Sequence, residues 1–279
     1  MKRTFKYIFA FLISAVSFTS CDEDSISQIF GEGDTVAALK EALSIGAEAA
    51  SNELGKEGGY LQDSLVRIAM PAEANAIFDV VNSLNKSDAG KVVLKALNID
   101  DKLESTMTTL INRAAEDAAP KAVNVFKSAI TNMSMNDGKN ILFGANNAAT
   151  SYLHDNTFSS LQSAFNPTIS ASLSNVSFGG YDANEAWEAV SNIYNKISDY
   201  KSSTAGTFAM GALKIADSNT YNKVNSIQAV NTNLADYVTG KALDGLFSKV
   251  ANKELDIRTN AASRTSDLLK RVFGQLDEQ

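Results

Sequence analysis

The sequence predicts an all-α protein, a single multi-helix, bundle-like domain of roughly eight to eleven helices. Apolar residues recur at three- and four-residue spacing through most of the 279-residue chain, whereas period-two alternation is scarce and no convincing strand pair emerges. Only 3 prolines interrupt the pattern, and a hydrophobic content of 44% is ample for a core. No repeat of fixed period appears, which argues against a solenoid. No Pro-rich or charged linker divides residues 34–274, which favours one domain.

The chain opens with a targeting pattern. Lys2, Arg3 and Lys6 form a basic head, and Tyr7 to Val16 form an apolar run too short to span a bilayer as a permanent helix. Ser17-Phe18-Thr19-Ser20-Cys21 resembles a bacterial lipobox, and Cys21 is the only cysteine in the chain. Residues 1–20 are therefore expected to be a removable lipoprotein signal peptide, with Cys21 carrying the acyl chains that hold the protein to a membrane. Residues 21–33, with Asp22-Glu23-Asp24, are expected to form an acidic tether. Cleavage would move the net charge from −7 to about −10. Such an acidic chain suits neither nucleic acid nor an anionic lipid surface. The expected location is the cell envelope, at the outer membrane, on its periplasmic or surface face.

Helices follow in order. Asp34 can cap a helix with the stripe Val36, Leu39, Leu43, Gly46, Ala50 and Leu54, which Gly55-Lys-Glu-Gly-Gly59 breaks. Pro71 opens a helix carrying Ile77, Phe78, Val81 and Leu84, and a short one lies within Asn85 to Asn98. Leu103, Met107, Leu110, Ile111, Ala114 and Ala118 mark a helix capped by Asp100 or Asp101. Pro120 is expected to end it and to begin another with Val123, Phe126, Ile130 and Met133 inward. Ser134-Met-Asn-Asp137 fits a capping box, Thr157 a cap, and Asn166-Pro167 a cap with the first residue of a further helix. Phe178-Gly-Gly180 reads as a turn, and Asp182-Ala-Asn-Glu185 as a capping box before Trp187, Val190, Ile193 and Ile197. Residues 199–231 read as a less regular excursion. Helices from Leu234 and from Thr265 to Phe273 close the domain, with 275–279 as a tail.

Chemistry is scarce. With one histidine and no cysteine after lipidation, the usual His/Cys zinc sites and Cys–His nucleophiles are excluded. A Ser-His-Asp triad would have to use His154, yet no nucleophile elbow accompanies it. No carboxylate spacing resembles an EF-hand or a metalloprotease helix, so no cofactor or metal is expected. The polar residues that stand out are Asn112, Arg113 and Glu116 in an alanine-rich stretch, and Lys241, Asp244, Glu254, Arg258 and Arg264 among apolar neighbours. Each group reads as helix-surface ion pairs, as a buried bridge that sets packing, or as a polar pocket. In the last reading Arg113, Arg258 and Arg264 converge on an anion, and Glu116 acts as acid or base. A carboxylate-pair hydrolase would combine Glu116 with Asp244 or Glu254.

The strings Asn112-Arg-Ala-Ala-Glu-x-Ala-Ala-Pro120, Ala148-Ala-Thr-x-Tyr152, Tyr237-Val-Thr-x-Lys-Ala-Leu-Asp-Gly-Leu-Phe247 and Leu268-Leu-Lys-x-Val-Phe-Gly274 occur in order. Leu39-Lys-Glu-Ala-Leu43 and Ile257-Arg258 accompany them. Together they resemble the bacterial domain-of-unknown-function family 4197, secreted proteins often of lipoprotein type. The resemblance spans roughly residues 34–274 and implies a helical secreted domain, with no activity, cofactor or catalytic residue to carry over. The expected role is a non-catalytic binding or scaffolding module in the envelope. Its partner would be another envelope protein or a small amphipathic or anionic ligand; the alternative is a cryptic carboxylate hydrolase around Arg113 and Glu116.

Overall fold

The computed structural model describes residues 31–99, 102–132, 134–136 and 138–278. The signal segment, Cys21, the tether up to residue 30, the caps Asp100 and Asp101, Met133 and Asp137 lie outside the described residues. Among the described residues eleven α-helices and one two-stranded sheet are formed. They are α1 (Glu32–Leu54), α2 (Ala72–Leu84), α3 (Asp88–Leu97), α4 (Leu103–Asn132), α5 (Gly138–Leu142) and α6 (Ala148–Asn175). After the strands β1 (Ser177–Phe178) and β2 (Tyr181–Asp182) come α7 (Ala183–Ser202), α8 (Thr204–Ala216), α9 (Ser218–Ser226), α10 (Leu234–Thr259) and α11 (Asp267–Phe273).

Four long helices make the core. α1 packs on α4 and α10, and α6 packs on the same two, so the four close into a ring. Small residues let them approach. Ala114, Ala115, Ala118, Ala119 and Ala122 of α4 are all fully buried, and a Cβ added at Gly46 of α1 would stand 3.1 Å from Val250 Cγ1 of α10. Larger side chains such as Leu39, Leu43, Phe126, Phe165 and Leu246 fill the space between. Helices α2, α3 and α7–α9 cover the end where α4 begins, with α7 against α4 and α8 against α3. The N-terminus of α1 lies at the other end, where Lys40 donates to the Thr131 carbonyl and Val36 faces Gly138.

Several expected boundaries differ. Pro120 and Pro167 each lie inside a continuous helix, α4 and α6. A proline in a helix loses one backbone hydrogen bond and strains the preceding turn. Here Pro120 packs beside Gly55, where an added Cβ would come within 2.6 Å of Pro120 Cγ, and the surrounding ring holds the helix through the defect. Thr157 is likewise interior to α6, its hydroxyl donating to the Leu153 carbonyl. α1 begins two residues before Asp34, with Gly31 as its N-cap, so residues 31–33 of the expected tether belong to the start of this helix. The stretch 199–231 is mostly helical, because Ser203 and Asp217 cap α8 and α9, and the one longer run without helix is 227–233. Asp182 and Glu185 form the expected capping box. A strand pair does exist, although minimal: Phe178 faces Tyr181 across Gly179 and Gly180, whose φ values of 63° and 87° suit a two-residue hairpin turn.

Candidate functional site

Asn112 and Glu116 sit one turn apart on the same face of α4 and point at the loop 55–71. Asn112 accepts from Ile68 N–H at 2.8 Å and donates to the Ile68 carbonyl at 2.9 Å, so it pairs with that backbone as a strand would. The Glu116 carboxylate accepts from Tyr60 N–H at 3.1 Å and Leu61 N–H at 3.0 Å. Both side chains are buried, where unpaired polar groups would be costly and each loop amide would lack water. Tyr60, fully buried, donates its hydroxyl to the Ala242 carbonyl of α10 at 2.7 Å. Burial first, and the nearby Glu116 charge second, push the Tyr60 phenol pKa far above its ordinary value. From α10, Tyr237 donates to the Ala69 carbonyl. Lys249 reaches Glu53 at 2.6 Å and Asp63 at 2.7 Å. The Lys249 contact holds the Asp63 carboxyl below the usual carboxylate range. The loop is thus stapled from α4 and α10 together.

Arg113 departs from the expected ion pair. It binds Glu57 at 2.9 Å and stands over the Phe178 ring at 5.4 Å, with its side chain 36% exposed. Asp117 turns to Ser172 of α6 at 2.6 Å and to Lys121.

The second cluster closes helix ends. Glu254, 1% exposed, accepts from Ala149 N–H at 3.0 Å, Thr150 N–H at 2.7 Å and the Thr150 hydroxyl at 2.6 Å. These amides are at the start of α6, so Glu254 is a cap supplied from another helix, with its charge at the positive end of the helix dipole. One turn on, Arg258 binds Glu254 at 2.7 Å and donates to the Ile141 and Leu142 carbonyls, which end α5. Its guanidinium also faces the Phe273 ring of α11 at 5.7 Å. Arg264 donates back to the Ile257 and Arg258 carbonyls, which α10 leaves open at its end, and to Asp277. Three charged residues therefore satisfy the ends of three helices.

The structure brings Glu254, Arg258 and Arg264 together, and separately Asn112 and Glu116. The predicted convergence of Arg113 with Arg258 and Arg264 is not formed: Arg113 shares no partner with either. Nor is Glu116 aimed at a carboxylate, since its acceptor contacts are loop amides. Lys241 and Asp244 form a surface pair at 3.2 Å, each about half exposed. His154 packs against the rings of Phe158 and Phe247, which also meet each other, with Asp155 at its Nδ1. Among the described residues no group of His, Cys, Asp or Glu is placed to hold a metal ion, and no helix is long and apolar enough to cross a membrane.

A groove of about 720 Å³ opens on the outer seam of α4 and α6. The two helices run antiparallel, as Asp117–Ser172 at one end and Ser134–Tyr152 at the other show. Asn124, Val125, Ser128, Ala129 and Asn132 face Asn156, Thr157, Ser160, Leu161 and Ala164, both sets at i, i+1, i+4, i+5 and i+8. Short side chains on both rows leave the seam open, and no lining residue is charged. Sequence reasoning passed over these residues because each row reads alone as an ordinary helix flank. Tyr60 was also missed; its only signal is the bulky ring directly after Gly58-Gly59.

Fold and sites define a helical protein whose buried charges serve as loop staples and helix caps, with a neutral groove between core helices. The chain belongs to the family described as protein of unknown function DUF4197, whose profile matches residues 30–274. No curated protein and no solved structure matches the chain.

Proposed function

We propose that this protein is a non-catalytic binding module held in the cell envelope by a lipidated Cys21, and that its ligand seat is the α4–α6 groove. The observation that carries the reading is the division of labour between polar groups. The buried residues Asn112, Glu116, Glu254, Arg258 and Arg264 are engaged by backbone and side-chain partners of the same chain. The groove instead offers amides, hydroxyls and a Val125–Ala129–Leu161–Ala164 floor. Its volume falls within the usual range for small-molecule sites, and clefts between helices of a bundle are a common place for them. A neutral rim over an apolar floor suits a small amphipathic molecule without net charge. The anchoring part of the reading rests on the lipobox-like string ending at Cys21, the lone cysteine.

Two measurements on the full-length protein test it. Metabolic labelling with a fatty-acid analogue should mark the wild type and not Cys21→Ser; equal labelling of both, or of neither, removes the anchor. The native mass of gently purified protein should exceed the denatured mass by that of a bound small molecule. Ser160→Phe with Ala129→Phe, which puts one bulky ring on each of the two helices that line the groove, should abolish the excess. An excess that survives in this variant places the ligand elsewhere, and no excess in the wild type contradicts a retained small molecule.

A further inference from the structure

The groove between α4 and α6 sorts its residues by exposure. Asn124, Ser128 and Asn132 of α4 and Asn156 and Ser160 of α6 are exposed and polar, while Val125 and Ala129 are half-buried and Leu161 is buried. The α4 row steps by four residues, so its three members stand about 6 Å apart and span about 12 Å along the helix. The side chains of Asn124, Ser128, Asn132 and Ser160 have no partner among the described residues. Asn156 donates to the Tyr152 carbonyl and keeps its own oxygen free. The antiparallel register fixed by Asp117–Ser172 and Ser134–Tyr152 sets Asn156 across from Asn132 and Ser160 across from Ser128.

A row of free polar groups with that step has a counterpart in extended backbone. Alternate residues of an extended chain turn their N–H and C=O to the same edge and recur about every 6.6 Å, so residues n, n+2 and n+4 span about 13 Å. An asparagine amide holds both donor and acceptor, and can therefore exchange two hydrogen bonds with one backbone residue. Helix α4 already does this once. Asn112 accepts from Ile68 N–H at 2.8 Å and donates to the Ile68 carbonyl at 2.9 Å. Asn124 and Asn132 carry the same amide on the same helix, unmatched by backbone of the described chain.

Resting on the reading of this groove as the ligand seat, we propose that its ligand is a short peptide of about six residues, bound in extended form. One edge of its backbone pairs with Asn124, Ser128 and Asn132, and the other meets Asn156 and Ser160. Alternate side chains lie on the Val125–Ala129–Leu161 floor. Main-chain pairing supplies affinity for many sequences, and the floor selects apolar side chains at alternate positions. The peptide extends past the lined stretch at both ends, so its terminal charges need no counter-ion in a groove without charged residues. A bare acyl chain would cover the same amides and hydroxyls without pairing them, which costs free energy.

The test titrates the full-length protein with a pool of hexapeptides built from serine, valine and leucine, and reads the bound fraction by native mass spectrometry. A second pool carries the same sequences N-methylated at alternate amides, which removes the donors of one edge and keeps the side chains. The wild type should hold the first pool and bind the second at least about tenfold more weakly. Asn124→Leu with Asn132→Leu should weaken the first pool by a similar factor. Both positions are exposed and their side chains lack partners in the fold, so the melting temperature should stay at the wild-type value. Equal binding of the two pools, undiminished binding by the double leucine variant, or no binding of the first pool overturns the peptide. The groove reading is judged apart from it. A non-peptide mass retained by the wild type and lost in Ser160→Phe with Ala129→Phe keeps the groove and removes the peptide, whereas hexapeptides held equally by that variant remove the groove itself.

Discussion

Replacing Arg258 by methionine should destabilise the fold severely, and the structure sets the scale. The substitution leaves the buried carboxylate of Glu254 without its cation and the Ile141 and Leu142 carbonyls without donors. Removing one partner of a buried pair costs about 3–5 kcal/mol, and each stranded buried acceptor about 1–3 kcal/mol before relaxation. Glu254 keeps its three contacts from Ala149 and Thr150, which limits the loss, so an overall cost of about 4 kcal/mol follows for Arg258→Met. For a domain of this size that lowers the melting temperature by roughly 8–16 °C. Glu254→Gln should cost about 2–4 kcal/mol, since its amide NH2 meets donors on every side. The double variant should fall well short of the sum, because the second change removes a charge the first had stranded. Urea unfolding with matched slopes measures all three. A cost below about 1 kcal/mol for Arg258→Met, or strict additivity in the double variant, would refute the assignment of this pair as a buried bridge between helix ends.

Other consequences follow from the same contacts. Glu116→Ala frees the amides of Tyr60 and Leu61, so limited proteolysis should cut within 55–71, at Lys56 or Arg67, where the wild type resists. Gly245→Ala would bring a Cβ to 2.7 Å from the Tyr60 ring; a loss of about 1–3 kcal/mol is expected, with unfolding by denaturant as the readout. Acid should also weaken the loop. The Asp63 pKa is lowered in the fold, chiefly by its hydrogen bond to Lys249, so its contribution is full above the unfolded carboxylate value and is lost as pH falls through the folded one. Asp63→Asn should therefore flatten the stability–pH curve below about pH 4 and leave its shape near neutrality unchanged.

The long helices were legible because their stripes are strong: Leu39, Leu43 and Ala50 of α1, and Val238, Leu246 and Val250 of α10, are all buried as their spacing predicts. The helix breaks at Pro120 and Pro167 were misplaced, because local chemistry favours a boundary that packing overrides at both sites. The excursion looked irregular since α8 and α9 owe their ends to Ser203 and Asp217 caps more than to a strong stripe. For the polar residues the sequence supplied the positions but not the partners. Glu254 and Arg258 are spaced as an ordinary i, i+4 pair, and only the arrival of α5 and α6 from over a hundred residues away makes them caps. Asn112 and Glu116 bind loop backbone, which leaves no trace in side-chain identity at the far end. The groove depends on the register of α4 against α6 and could not be read from either helix.

The claim that the family's charged strings serve the fold, while the neutral groove serves a ligand, is tested most directly by two readouts on one sample. Full-length Glu116→Gln should melt several degrees below wild type, because the one oxygen that accepts from both loop amides loses its charge, yet keep the same retained small-molecule mass. An unchanged melting temperature together with loss of the retained mass would contradict the account and make Glu116 part of a binding site.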